Sequence, residues 1–230
     1  MSKSLFADSA VYEITKFTTL DYSDHLACIL WFAKCNMSCS YCYNAPIVRG
    51  KGQISNNQIF DFLRSRIGKL NAVVLSGGEC TLYPRIVELC EEIKELGFKI
   101  KIDTNGLKPD VISELVDFSL VDFISLDYKA PPHKFFEITK NTLHEKFYKT
   151  LDMLIDKNFT FEVRTTVHSE LLTPEDINAI ITDLKNRKYK GIYYLQNFHQ
   201  VKDTLGGINI PSRPIEKELL LKNLAIEIRN

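Results

Sequence analysis

The chain has 230 residues, 45% of them apolar and 25% charged, and its 29 Lys+Arg balance 29 Asp+Glu to a formal net charge of zero. That composition excludes a disordered or fibrous chain, and the length suits one domain, residues 1–230, with a core of its own. The balanced charge speaks against a nucleic-acid partner, because phosphate neutralisation calls for a basic excess.

Met1 to Asp8 lack the continuous apolar stretch of a secretory signal. The longest apolar run, Leu26–Ala33, is far shorter than the roughly 20 residues that span a bilayer. A cytoplasmic protein with no membrane partner is therefore expected. Leu26–Ala33 reads instead as the first strand. Ser55 and Gln58 can form a capping box ahead of Ile59, Phe62, Leu63 and Ile67. The second strand is predicted at Ala72–Ser76, followed by a helix from Pro84 to Leu96 that Gly97 stops. A third strand, Lys99–Thr104, precedes a helix opened by Pro109 and Asp110. Phe123–Tyr128 is the fourth strand, and Leu143 to Lys157 a helix with Phe147, Leu151 and Leu154 at helical spacing. The fifth strand is Phe161–Val167. Thr173-Pro174-Glu175-Asp176 supplies an N-cap, an N1 proline and two first-turn acids for the next helix, and Gly191–Phe198 is the sixth strand.

Nearly continuous apolar strands suit a parallel sheet covered on both faces. Six of them alternating with five helices predict an α/β fold. In it, right-handed βαβ units curl into an incomplete six-unit barrel over about residues 24–200, with a tail at 201–230. Ligands in such folds sit at the C-terminal ends of the strands, where the polar clusters of this chain fall.

Cys35, Cys39 and Cys42 crowd onto the loop after the first strand with gaps of three and two, while no cysteine follows Cys90. Three thiols without a fourth partner suit a four-iron cluster that leaves one iron open. A structural zinc site would ask for four ligands, and packing cysteines are the remaining reading. Cys28 and Cys90 fall on apolar faces and read as core.

This C-x3-C-x2-C loop, with Gly77-Gly78-Glu79 after the second strand, resembles the signature of radical S-adenosylmethionine (radical SAM) enzymes. The resemblance implies a [4Fe–4S] cluster on Cys35, Cys39 and Cys42 whose open iron binds SAM. It also implies cleavage of the sulfonium to a 5′-deoxyadenosyl radical. Tyr41 would lie near the adenine, and Gly77, Gly78 and Glu79 would meet the SAM amino group. Further stretches are similar to activating proteins of anaerobic ribonucleoside-triphosphate reductases and pyruvate formate-lyases. They are Phe17 to Tyr22, Lys101 to Gly106, Ser125 to Pro132 and Val163 to His168. That subgroup installs a glycyl radical on a partner enzyme, here an anaerobic ribonucleotide reductase, with a flavodoxin or ferredoxin as electron donor. It implies SAM contacts at Asp103, Asn105, Lys129, Arg164 and His199, and a monovalent cation at Asp103, Thr104 and Asp127. The pattern departs from the family at two positions: Cys80 replaces the usual Pro, and Lys34 the usual Gly. The alternatives are a radical SAM enzyme acting on a small molecule, of the 7-deazaguanine-forming type, and a zinc-bound interaction module. The segment after His199, with Gly206-Gly207, is expected to shape the substrate entrance.

Overall fold

Parallel strands that bury both faces need apolar side chains at every position, and the central runs of this chain supply them. The computed structural model describes residues 9–199, 203–211 and 214–229. The first eight residues and parts of the tail read above lie outside that range. The residues gather into two compact units, the first made of Met1–Asn36, Pro46–Thr104 and Asp110–Ile124, the second of Met37–Ala45, Asn105–Pro109 and Ser125–Asn230. Within each unit the strands lie side by side in chain order.

In the first unit, β2 (Ala27–Phe32), β3 (Ala72–Gly77) and β4 (Lys99–Thr104) pair in parallel, Ala27 opposite Ala72 and Ala72 opposite Lys99. Ala27, Cys28, Leu30, Val73, Val74, Leu75, Ile100 and Ile102 are fully buried. β1 (Val11–Thr18), absent from the sequence reading, adds an antiparallel edge to β2. Among its residues only Val11 and Thr18 are buried, so it has no apolar run to announce it. The helices are α1 (Ala45–Arg49), whose Ala45 belongs to the second unit, then α2 (Asn56–Arg64), α3 (Ile86–Glu95) and α4 (Pro109–Asp117), whose Pro109 does too. The expected Ser55–Gln58 capping box opens α2, which ends before Ile67; Ile67 is half exposed. Cys28 on β2 and Cys90 on α3 are core residues, and burial pushes both thiols up to about 12. β5 (Phe123–Asp127) is divided, with Phe123 and Ile124 in the first unit and Ser125–Asp127 in the second.

In the second unit, β6 (Phe161–Val167) pairs in parallel with β7 (Tyr193–Asn197), and β7 with β8 (Ile226–Arg229). β8 lies in the stretch read as a tail, so the sheet runs past residue 200. Arg229 secures it, with a two-point bond to Glu162 at 3.0 and 3.2 Å and its guanidinium stacked 3.3 Å from the Tyr194 ring. The helices are α5 (Pro132–Thr139), α6 (His144–Asp156) and α7 (Pro174–Asn186). α1 and α5 were not foreseen. α1 is one turn long, and the prolines that open α5 also read as breakers. At α7 the Thr173 hydroxyl accepts from the Asp176 N–H at 3.3 Å, and Asp176 accepts from the Thr173 N–H at 2.8 Å. His133 and Lys134 also sit on the Asp176 carboxylate, both at 2.8 Å.

Thr173→Ala should cost about 1 kcal/mol of stability, a typical N-cap loss. Asp176→Ala should cost about 2 kcal/mol or more, because it strands several donors at once. Urea unfolding of the two variants checks the order.

Candidate active site

In the first unit the site is built by contact between backbones. After β2 the chain turns at Lys34, which sits in the left-handed region at φ 73° and precedes Cys35. The end of β3 lies directly on this turn. The Gly78 N–H donates to the Phe32 carbonyl at 2.8 Å, and the Glu79 N–H to the Lys34 carbonyl at 2.9 Å. There is no room for side chains: a Cβ on Gly77 would fall 2.4 Å from the Phe32 nitrogen, and one on Gly78 1.8 Å from the Lys34 oxygen. Gly77 also has φ 117°, a conformation suited to glycine.

Glu79 follows and is 2% exposed. Its Oε1 accepts from the Thr81 N–H at 3.2 Å, the Thr81 hydroxyl at 2.5 Å and the Thr104 hydroxyl at 2.8 Å. Asp103, at the end of β4, accepts from the Ser76 hydroxyl at 2.8 Å and pairs with Lys101 Nζ at 3.0 Å. Lys101 Nζ also donates to the Asp21 carbonyl at 2.5 Å. Cys80 is fully buried, its thiol 3.7 Å from the Asp103 carbonyl, and burial holds its pKa well above the usual thiol range.

In the second unit, Cys39, Tyr41 and Cys42 share a loop in which the Cys42 N–H donates to the Cys39 carbonyl at 3.0 Å. Burial pushes the Cys39 thiol up to about 11, opposed by the Lys129 charge. Tyr41 is buried, and its hydroxyl has no hydrogen-bond partner among the described residues. Lys129 Nζ stands 5.9 Å from the centre of the Tyr41 ring. At the end of β5, Asp127 accepts from Lys129 Nζ at 2.9 Å and from Arg164 Nε at 2.5 Å. Burial would raise the Asp127 pKa, but Arg164 and Lys129 hold it below the usual carboxylate value. For Lys129, burial acts to lower the pKa, and Asp127 with neighbouring groups carries it well above the usual lysine value. Asn105 turns its side-chain oxygen onto the Leu107 N–H at 3.1 Å, an Asx turn. His199 is exposed, and its N–H donates to the Tyr43 hydroxyl at 2.6 Å.

The expected site residues thus fall into two sets. Cys35, Gly77, Gly78, Glu79, Asp103 and Thr104 belong to the first unit, and Cys39, Tyr41, Cys42, Asn105, Asp127, Lys129, Arg164 and His199 to the second. Of the groups assigned to a monovalent cation, Asp103 carries Lys101, Asp127 carries Lys129 and Arg164, and Thr104 donates to Glu79. Sequence reasoning missed Ser76, Thr81 and Lys101 as partners of the two carboxylates; only their places on or beside strand ends could have signalled them. It also missed Tyr43, whose ring lies 5.3 Å from that of Phe198.

The donor chemistry fits an iron–sulfur cluster. Soft thiols on one loop are the donor set that selects such clusters, and each cysteine of a cluster binds its own iron. Convergence on one point is not required, and no three Cys, His, Asp or Glu side chains among the described residues converge so as to hold a metal ion. The orphaned Tyr41 hydroxyl is a buried polar atom that a ligand group could satisfy.

Gly78→Ala should cost about 3 kcal/mol, the upper end for overpacking, because the opposing atom is a backbone oxygen. Gly97→Ala, at positive φ but with open space around it, should cost about 1 kcal/mol. Thermal melts compare the two. Asp127→Asn should destabilise the protein at neutral pH, and the difference from the parent should shrink as pH falls. The sign follows from the lowered folded pKa: this contribution is present above the unfolded value of about 3.9 and is lost as pH drops through the folded value. Stability measured from pH 7 to pH 2 checks it.

No helix among the described residues is long and apolar enough to cross a membrane. Residues 29–184 match the Radical SAM superfamily, whose members use a [4Fe–4S] cluster and SAM. A Methanocaldococcus jannaschii protein provisionally named a glycyl-radical enzyme activating enzyme is 32% identical over 221 residues, covering 92% of this chain and 88% of the relative. A 7-carboxy-7-deazaguanine synthase of the same organism is 29% identical over 175 residues, covering 67% and 68%. The crystal structure of Streptococcus suis SuiB bound to S-adenosylmethionine aligns with a TM-score of 0.68 at 16% identity, over 86% of this chain and 48% of that one. The likeness shows the fold, and the chain spans about half the length of that structure. With the family matched over more than half of its residues and a relative 32% identical across 92% of its length, the chain belongs to the radical SAM superfamily.

Proposed function

We propose that the protein is an activase that installs a glycyl radical on a partner enzyme, an anaerobic ribonucleoside-triphosphate reductase, with a flavodoxin or ferredoxin as electron donor. The observation that carries this reading is the 32% identity, over 92% of the chain, to the relative provisionally named as such an activating enzyme. When bound, the cluster and SAM supply one electron and a 5′-deoxyadenosyl radical able to take hydrogen from a glycine Cα.

The chain's own residues bind and orient. Cys35, Cys39 and Cys42 are the thiolate ligands in this reading. Gly77 and Gly78 offer bare backbone, and Glu79, held by Thr81 and Thr104, presents a fixed carboxylate for the SAM ammonium. Asp103, held by Ser76 and Lys101, is a second fixed carboxylate. Lys129 and Arg164, which both bond Asp127, are the cations in this reading that would meet an anionic ligand group such as the SAM carboxylate. Tyr41 offers a ring face and a hydroxyl. Asn105 and His199 complete the set as weaker contacts. Positioning is the protein's share of the catalysis, because hydrogen abstraction needs close approach of donor and acceptor carbons.

The 29% identity to a 7-carboxy-7-deazaguanine synthase favours a second reading, a radical SAM enzyme acting on a small molecule. Electron paramagnetic resonance separates the two. Reduced protein, SAM and the reductase mixed without oxygen should give the glycyl doublet. SAM cleavage with no doublet on any glycyl-radical enzyme of the source organism would overturn the activase reading. Replacing Cys35, Cys39 or Cys42 by Ala should abolish SAM cleavage, whereas Cys28→Ala or Cys90→Ala should cost roughly 1 kcal/mol of packing and leave cleavage intact.

A further inference from the structure

The cysteine loop has little regular structure of its own, yet its backbone is held from two sides. On one side the Ser38 N–H donates to the Thr139 carbonyl at the end of α5, at 2.9 Å. On the other, a segment far along the chain supplies two donors. The Leu205 N–H bonds the Cys42 carbonyl at 3.0 Å, and the Gly206 N–H bonds the Ser40 carbonyl at 2.9 Å. These two carbonyls flank the stretch between Cys39 and Cys42. The approach is as close as backbones allow, since a Cβ on Gly206 would lie 2.7 Å from both Cα and Cβ of Ser40. The neighbouring Gly207 has open space around it.

The segment is itself anchored. The Thr204 carbonyl accepts from the Gly207 N–H at 3.2 Å, and the Thr204 hydroxyl from the Ile208 N–H at 2.9 Å, which closes a turn around Gly206. The Asn209 carbonyl lies 2.8 Å from Nε2 of His168, so that nitrogen carries the proton. His168 follows β6 directly, is 2% exposed, and stands edge-on to Phe198 with ring centres 4.9 Å apart. Phe198 in turn meets Tyr43, next to Cys42. The contacts run from the ends of β6 and β7 through the segment and back to the cysteine loop.

We propose that residues 204–209 are a strap that fixes the cysteine loop in its cluster-receiving shape, with Gly206 and His168 as positioning residues. Gly206 sets the distance between strap and loop, and His168 sets the position of the strap. The cluster half of this proposal rests on superfamily membership and not on the identity of the substrate.

The first measurement needs no cluster. In the apoprotein, alkylation of buried Cys39 is followed by mass spectrometry, and Gly206→Ala should speed it about tenfold through local opening of the loop. Gly207→Asn, in the same turn but free of the loop and with a side chain that tolerates its left-handed φ of 65°, should leave the rate within about twofold. His168→Leu should act like Gly206→Ala, and His168→Gln, which keeps an N–H donor, should restore protection. The second measurement is on reconstituted protein, where Gly206→Ala and His168→Leu should shorten the lifetime of the iron–sulfur absorbance against a chelator about tenfold. The same variants should broaden the resonance of the reduced cluster. Folded Gly206→Ala and His168→Leu with parental Cys39 protection and parental cluster lifetime would overturn the strap. If Gly206→Ala does not fold, His168→Leu against His168→Gln decides by the same readings. A missing glycyl doublet with these readings intact would count against the activase alone.

Discussion

A carbonyl oxygen of Lys34 lies where the Cβ of residue 78 would have to be, and the ordering of the first unit's site depends on that contact. The ladder between two parallel strands continues here into the turns that follow them, where the Phe32 and Lys34 carbonyls take the N–H groups of residues 78 and 79. The backbones come so close there that Gly77 and Gly78 leave no space for a Cβ. The turn after β3 is thereby tied to the turn that launches the cysteine loop. Glu79 is buried there with Thr81 and Thr104 donating to its carboxylate. Gly206 repeats the device in the second unit, where a bare glycine lets another stretch of backbone bond the cysteine loop. Glycine at both places is a requirement of distance.

The buried charges obey a second constraint. A carboxylate taken out of water must find cations or donors, and both strand-end aspartates have them before any ligand is considered. Asp103 is met by Lys101, and Asp127 by both Lys129 and Arg164, so each carboxylate is satisfied from within its own unit. The expected cation at these carboxylates would meet groups that lysine and arginine already engage.

How much was legible follows from whether the causes were local. Lys99–Thr104 and Phe161–Val167 are strands with the bounds their sequences announce, because apolar runs, turn residues and burial all agree there. The capping box of α2 and the N-cap of α7 were readable from four residues each, and the structure closes the latter into a capping box as well. β1 was not, since V-Y-E-I-T-K-F-T is a half-exposed edge whose pairing comes from β2, and the four residues of β8 owe their strand to β7. In the site, the cysteine spacing and Gly77-Gly78-Glu79 carry their chemistry in the sequence itself. The joining of Asp127 to Arg164, 37 positions apart, and of Ser40 to Gly206 are products of folding that no local pattern encodes.

The two departures from the family pattern find their reason in the same geometry. The position before the first cysteine is usually Gly, and here it has φ 73°, a conformation that costs a side-chain-bearing residue about 1 kcal/mol. Lys34 offsets the cost with three bonds: its N–H to the Ile47 carbonyl at 3.2 Å, its carbonyl from Glu79, and its ammonium to the Arg49 carbonyl at 3.4 Å. The usual Pro at position 80 would sit at the first residue of the short 3₁₀ turn Cys80–Leu82, where a fixed φ is helpful and no N–H is needed. Cys80 gives up that preorganisation and places a buried, protonated thiol against the Asp103 carbonyl instead. Lys34 is itself part of the backbone that holds the Gly77–Glu79 turn, and Cys80 follows it directly, so both departures lie at its edges.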